Sequence, residues 1–139
     1  GNTGMGSAHV FRTTNGGATY GQVAELTASD AYYSDLFGRS VAIDGSTIVV
    51  GASGDDDAGY YSGSAYVFLT SDGGASYVEV AKLTASDAAS YDSFGNSVAI
   101  DGATIVVGAF TDDDAGSNSG STYVFRTTDG GATYDEVAK

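Results

Sequence analysis

The sequence has no cysteine, no proline and no tryptophan, and among its 139 residues it has one methionine, one histidine and five basic side chains. Each scarcity excludes something. Without cysteine there is no disulfide framework, and with a single histidine besides, soft metals lose their preferred ligands. Redox compartment is left open by the same absence. Five Lys and Arg stand against 18 Asp and Glu, for a formal net charge of −13. That balance argues against a nucleic-acid partner, because phosphate contacts need clustered basic residues. It also keeps a protein soluble and draws cations towards it. No apolar run nears the roughly 18 residues of a membrane span, so membrane insertion is not expected. No basic-then-apolar leader opens the sequence, so the signal of a secreted parent would lie outside this stretch.

What the chain does have is glycine, 21 in all, and hydroxyls, 31 Ser and Thr together. That composition suits short strands parted by Gly, Asp and Ser turns better than helices. An internal repeat organises it. Phe37-Gly38 recurs as Phe94-Gly95, Asp55-Asp56-Asp57 as Asp112-Asp113-Asp114, and Gly16-Gly17 as Gly73-Gly74 and Gly130-Gly131, at steps of 57 residues. Setting residues 23–79 against 80–136 without a gap leaves 41 of 57 positions identical. Residues 1–22 match the tail of the same unit and residues 137–139 begin another, which points to a longer parent or to a subunit completed by its neighbours.

Four strands per repeat are expected: residues 39–43, 47–52, 64–70 and about 77–84, with Asp44-Gly45 and Asp72-Gly73-Gly74 as turns. A unit of four antiparallel strands at this length has the size of one β-propeller blade. The expected fold is therefore all-β, with β-propeller-type four-stranded antiparallel blades, two complete and one partial. The units are residues 1–36 (strands three and four and a connecting loop), 37–93, and 94–139, the last ending within its fourth strand. Such a blade cannot bury both faces alone, so self-association through blade faces or edges is an expected partnership. Strand parity puts the loops after strands two and four at one end. That end receives Asp30, Asp35, Asp55, Asp56 and Asp57 with their copies Asp87, Asp92, Asp112, Asp113 and Asp114, ten of the 18 acidic residues.

Phe37-Gly38-Arg39-Ser40-Val41-Ala42 followed by Ile48-Val49-Val50-Gly51-Ala52, and the same pair of segments from Phe94 and Ile105, resemble the FG-GAP repeat. The resemblance implies a propeller, seven-bladed in its commonest form, an extracellular or cell-surface setting, and an adhesive or ligand-binding role with an extracellular protein or glycan as partner. A departure accompanies it: the D-x-D-x-D-G calcium loop of integrin-type repeats, between strands one and two, is replaced by tight Asp-Gly turns. A second resemblance lies between strands three and four. Thr127-Thr128-Asp129-Gly130-Gly131-Ala132-Thr133-Tyr134, its copy from Thr70 to Tyr77, and Thr13 to Tyr20 with Asn15 for Asp, are similar to the Asp-box of sialidase propellers, where it implies a structural hairpin.

Calcium needs its own argument. Ca²⁺ takes about six to eight hard oxygens, and carboxylates crowded at one end repel one another until a counter-ion joins them. The ten aspartates just named are the candidate ligands, although neighbours such as Asp56 and Asp57 point apart and cannot all meet one ion. The competing reading is a solvated acidic loop whose aspartates cap turns. Catalysis finds little support. His9 takes the third-strand place of Tyr66 and Tyr123, Arg12 and Arg126 are equivalents in different blades, and nearly every acidic residue is duplicated where a single active site would break the repeat. No catalytic residue is assigned. The copies differ at Tyr32-Tyr33 and Tyr60-Tyr61, which become Ala89-Ser90 and Ser117-Asn118. Those four tyrosines, flat rings with a polar tip, are the candidate ligand contacts.

Overall fold

Two-residue turns set the register of each blade. Asp44 pairs with Thr47 and Asp101 with Thr104, so Gly45 and Gly102 sit inside the turns, at φ 55° and 54°. The computed structural model describes residues 4–139; the first three residues of the expected 1–36 unit lie outside them. β1 (Ala8–Arg12) and β2 (Gly21–Leu26) form a two-stranded sheet. β3 (Phe37–Asp44), β4 (Thr47–Ala52), β5 (Ser64–Leu69) and β6 (Val78–Leu83) form blade one. β7 (Phe94–Asp101), β8 (Thr104–Ala109), β9 (Ser121–Arg126) and β10 (Asp135–Ala138) form blade two. All strand pairs are antiparallel between chain neighbours, two isolated parallel bridges join Gly6 to Phe37 and Gly63 to Phe94, and no helix occurs among the described residues. The chain is all-β and built of propeller-like blades.

The first strand of each blade starts two residues earlier than the turn pattern predicts. Phe37 pairs with Ala52, and the register then shifts before Ser40. Phe37 is drawn in because its amide donates to the Met5 carbonyl at 3.2 Å while its ring packs edge-on against Tyr66 and Phe68, at 5.5 and 6.1 Å between centroids. Phe94 repeats this with Tyr123 and Phe125.

β7 of blade two lies across β3, β4 and β5 of blade one. The seam holds Val49, Ala65 and Val67, wholly buried, against Phe94, Val98 and Ile100. A second cluster joins Ile48, Val50, Tyr66 and Phe68 to Leu26 and residues of the β1–β2 pair. Polar contacts fix the seam: the Ser40 hydroxyl donates to the Gly95 carbonyl at 2.8 Å, and the Phe94 amide to the Ser62 carbonyl at 3.0 Å. One hexapeptide reports the effect. Thr-Ile-Val-Val-Gly-Ala is buried at every position in β4, but in β8 burial alternates, because blade two carries no blade upon it.

The β5–β6 turn is a self-bonded hairpin. The Thr70 hydroxyl donates to Asp72 Oδ1 at 2.8 Å and accepts from the Gly74 amide at 2.8 Å, while Asp72 accepts from the amide and hydroxyl of Ser76. These bonds to the ionised form hold the Asp72 carboxyl well below its usual range. Asn15 makes the equivalent bond to the Thr19 amide at 2.9 Å. Asp72→Asn keeps an acceptor for Thr70 and the Ser76 amide but gives up the charge. It should therefore lower the melting temperature less than Asp72→Ala, which orphans both and should lower it by a few degrees in a thermal melt.

Candidate functional site

Tyr66 is fully buried in the centre of blade one, so its hydroxyl must find partners. It donates to Asp30 Oδ1 and Asp55 Oδ2, both at 2.8 Å. Asp30 follows β2 and Asp55 follows β4, so the tyrosine ties together the loops that strand parity places at one end. Lys82 stands directly opposite Tyr66 across the β5–β6 pair. Its ammonium lies 2.6 Å from Asp30, 3.0 Å from Asp55 and 2.5 Å from Asp57, and 5.2 Å from the Tyr66 ring centre. Blade two repeats the group. Tyr123 donates to Asp87 at 2.7 Å and Asp112 at 2.8 Å, and Lys139 meets Asp87 at 2.5 Å, Asp112 at 3.1 Å and also Asp114. Each group is a cage of three carboxylates, one phenol and one ammonium.

The electrostatics follow from this packing. Burial alone would push Asp112 up, but bonds from the Asp114 amide, Tyr123 and Lys139 outweigh it and hold the carboxyl at about 2. Burial likewise opposes charge on Lys82, yet its bonds to Asp30, Asp57, Tyr66 and Asp55 carry it well above the usual lysine value. Lys139 moves the same way. Burial and the adjacent carboxylates push Tyr66 and Tyr123 far above the ordinary phenol range. Three carboxylates against one ammonium leave each cage with a formal charge of −2.

Of the ten aspartates expected to gather round a cation, the structure brings together Asp30, Asp55 and Asp57, and Asp87, Asp112 and Asp114, with carboxylate oxygens within 4.8 Å of one another in each triad. The other four do different work. Asp35 and Asp92, buried, accept from the amides of Tyr32 and Ala89 at 2.6 and 2.7 Å, and burial pushes both carboxyls up. Asp56 and Asp113 turn the other way and accept from the amides of Tyr61 and Asn118. They cap turns, because consecutive aspartates in an extended loop cannot converge. Lys82 and Lys139 were missed by sequence reasoning. A signal was present: they are two of five basic residues, and they recur at the 57-residue step.

Tyr60 and Tyr61 lie 4.7 Å apart, and Tyr60 meets Tyr91, unremarked in the sequence, at 5.4 Å. Tyr60 and Tyr91 are more than half exposed; Tyr61 and Tyr91 take positive φ, 56° and 74°, as do their copies Asn118 and Ser34, at 51° and 72°, so the turn is a feature of the repeat and the tyrosines are carried on it. Tyr32 and Tyr33 are exposed but do not join that cluster; the Tyr33 ring lies beside Gly4. His9, on β1, is exposed, with Nε2 3.0 Å from the Ser7 hydroxyl.

Blades whose first strand opens on Phe-Gly, whose second reads Ile-Val-Val-Gly-Ala, and whose acidic loops close over strand three define a propeller-repeat protein. The sequence profile of the FG-GAP repeat matches residues 20–68 and 71–125. The chain belongs to the FG-GAP repeat family. A search of curated proteins found no match. Membership brings calcium into question, and the donor set fits it: hard carboxylate oxygens in a compact triad, already gathered round a cation in the form of an ammonium. Asp30, Asp55 and Asp57, and Asp87, Asp112 and Asp114, could hold a metal ion. Among the described residues no helix is long and apolar enough to cross a membrane.

Proposed function

We propose that the chain is a non-catalytic module of an extracellular or cell-surface protein, serving adhesion or structural scaffolding. One observation carries this reading. The loops that hold the cages also hold the tyrosine cluster, so a rigid, repeated foundation presents a part that differs between repeats. Asp55 and Asp57 precede Tyr60 and Tyr61 in one loop, and Asp87 precedes Tyr91 in the next. Repeated stiffening under variable aromatic display is what a binding surface needs, since rigid tyrosines offer contact area at little entropic cost. Membership of a family that is typically non-catalytic and usually extracellular supports the same reading. Calcium belongs to the proposal as a further stabiliser, drawn to the two triads by the formal charge of −2 that each cage keeps, and competing there with the lysine ammonium that fills the triad.

A glycan is the ligand class favoured by the exposed rings of Tyr60 and Tyr91, whose faces suit stacking on sugars. Binding to an immobilised glycan panel should fall at least about tenfold in a Tyr60→Ala, Tyr91→Ala chain, on the scale of aromatic contact residues. Tyr32→Ala should leave it unchanged. Turnover of any sugar in the panel would sink the non-catalytic reading, and equal binding by the double variant would move the ligand site elsewhere.

A further inference from the structure

Three tyrosines break the repeat at positions that meet. Tyr60, Tyr61 and Tyr91 stand where the copies hold Ser117, Asn118 and Ser34. Tyr60 and Tyr61 belong to the loop between β4 and β5 of blade one, and Tyr91 to the loop that leads from β6 into blade two. Backbone bonds clamp the two loops together: the Tyr91 amide donates to the Tyr60 carbonyl at 2.8 Å, and the Ser93 amide to the Tyr61 carbonyl at 3.0 Å. The Thr111 hydroxyl steadies the same place by donating to the Tyr91 carbonyl. Clamping is a property of the repeat, since the Ser34 amide likewise donates to the Gly4 carbonyl at 3.0 Å. The rings set upon it are particular to this junction. Those of Tyr60 and Tyr91 lie 5.4 Å apart between centroids, at 74° to one another, and both are more than half exposed.

We propose that Tyr60 and Tyr91 are a cross-linking site, joined by a carbon–carbon bond between their rings when a peroxide-driven one-electron oxidant acts on them. Each phenol gives up one electron and its hydroxyl proton, and the two radicals couple at ring carbons beside the hydroxyls. The hydrogen on each coupled carbon leaves as a proton while the neighbouring oxygen regains one, which restores both phenols. Hydrogen peroxide takes up the two electrons and two protons and leaves as two waters. Exposure gives the oxidant access to both rings. The backbone clamp holds the partners side by side, so coupling does not have to assemble them. The product ties blade one to blade two across their seam, in a chain that has no cysteine for a disulfide. Tyr61 lies closer to Tyr60, at 4.7 Å, but it is partly buried and its chain neighbour, and so short a ring closes poorly. Tyr20, Tyr32 and Tyr33 are as exposed, yet no tyrosine ring is paired with theirs among the described residues.

This inference does not rest on the ligand-binding role and can fail separately from it. The whole folded chain, kept dilute, should respond to a peroxidase and hydrogen peroxide by gaining the blue fluorescence of coupled phenols. It should lose the mass of two hydrogens and stay a monomer. Trypsin parts residues 40–82 from 83–126 in the untreated chain; in the treated one the two peptides should stay joined, with the bond at Tyr60 and Tyr91 on fragmentation. Tyr60→Phe and Tyr91→Phe, which keep the ring but not the phenol, should each lose the joined pair, whereas Tyr20→Phe should keep it. Tyr60→Ser and Tyr91→Ser, which put in the residue the copies carry, repeat the two arms should either phenylalanine variant melt abnormally. The treated wild type should melt at least about 5 °C above the untreated chain, on the scale of closing a loop of that length, and treated Tyr91→Phe should not. A folded wild type left uncoupled overturns the proposal, as does a bond at another pair of tyrosines, coupling chiefly between molecules, or an equal yield in urea, where the clamp is gone. A chain that links without binding a glycan leaves this inference standing, and one that binds a glycan without linking ends it.

Discussion

A Gly51→Ala chain should melt about 10 °C below the wild type, following a loss of roughly 3 kcal/mol or more from overpacking. The identical change at Gly108 should cost far less. Both glycines occupy the fifth position of the same hexapeptide, so no scale of strand propensity separates them. Their surroundings do. A Cβ at Gly51 meets the Gly95 carbonyl oxygen at 1.9 Å, and that oxygen belongs to the backbone of β7, so relief requires blade two to move. At Gly108 the obstacle is the Ser97 hydroxyl at 2.3 Å, the end of an exposed side chain that can turn to another rotamer. Differential scanning calorimetry of both variants checks the pair. Equal losses would mean that the blades are not seated through this contact.

That pair of glycines also marks how far the sequence could be read. The strands were legible because Asp-Gly and Gly-Gly turns recur at fixed spacing and two copies agree on where each strand lies. The Phe37–Gly38 start was not, since it depends on a hydrogen bond from the Phe37 amide to the Met5 carbonyl and a ring packed on Tyr66, contacts between residues far apart in the chain. Burial was legible only as an average: Val49 and Val106 are copies, and one is wholly buried while the other is not, because burial depends on which blade lies above. For the cages, strand parity brings Asp30 beside Asp55, and the opposed directions of adjacent side chains say that not all of Asp55, Asp56 and Asp57 can join them; which one turns away was not legible. Two neighbours on an extended segment face opposite ways, so Asp56 caps a turn while Asp55 reaches the tyrosine. Lys82 escaped notice because a strand lysine ordinarily points to water. Its role emerges once Tyr66, directly across the sheet, is seen to gather two loops over it.

Removing that ammonium should destabilise the chain more than any surface charge change, and the loss should depend on pH and on calcium in ways a packing defect would not. Lys82→Met keeps the stem but leaves Asp30, Asp55 and Asp57 facing one another, with the Asp55 carboxylate almost completely buried. Breaking a buried ion pair from one side costs about 3–5 kcal/mol. In the wild type, the acid limb follows from Asp112, held at about 2: its contribution is complete above the ordinary carboxylate range near 4 and is lost as pH falls through 4 towards 2. The raised values of Lys82, Lys139 and the two tyrosines give the alkaline limb, complete below roughly pH 10 and lost as pH rises beyond it. In blade one, burial would push Asp30 up, but the bonds from Lys82 and Tyr66 outweigh it and hold the carboxyl below its ordinary value. Lys82→Met should reverse that contribution. Crowded carboxylates without a cation bind protons more tightly when folded than when unfolded, so acid relieves them. The deficit in melting temperature should be greatest near pH 7 and shrink by pH 3. Calcium at millimolar concentration should shrink it at pH 7 as well, because the variant frees the triad that the lysine now fills, and should raise the wild type less. A deficit constant across pH and indifferent to calcium would make Lys82 a packing residue. A deficit that closes by both routes would make it the built-in counter-ion of an acidic propeller face.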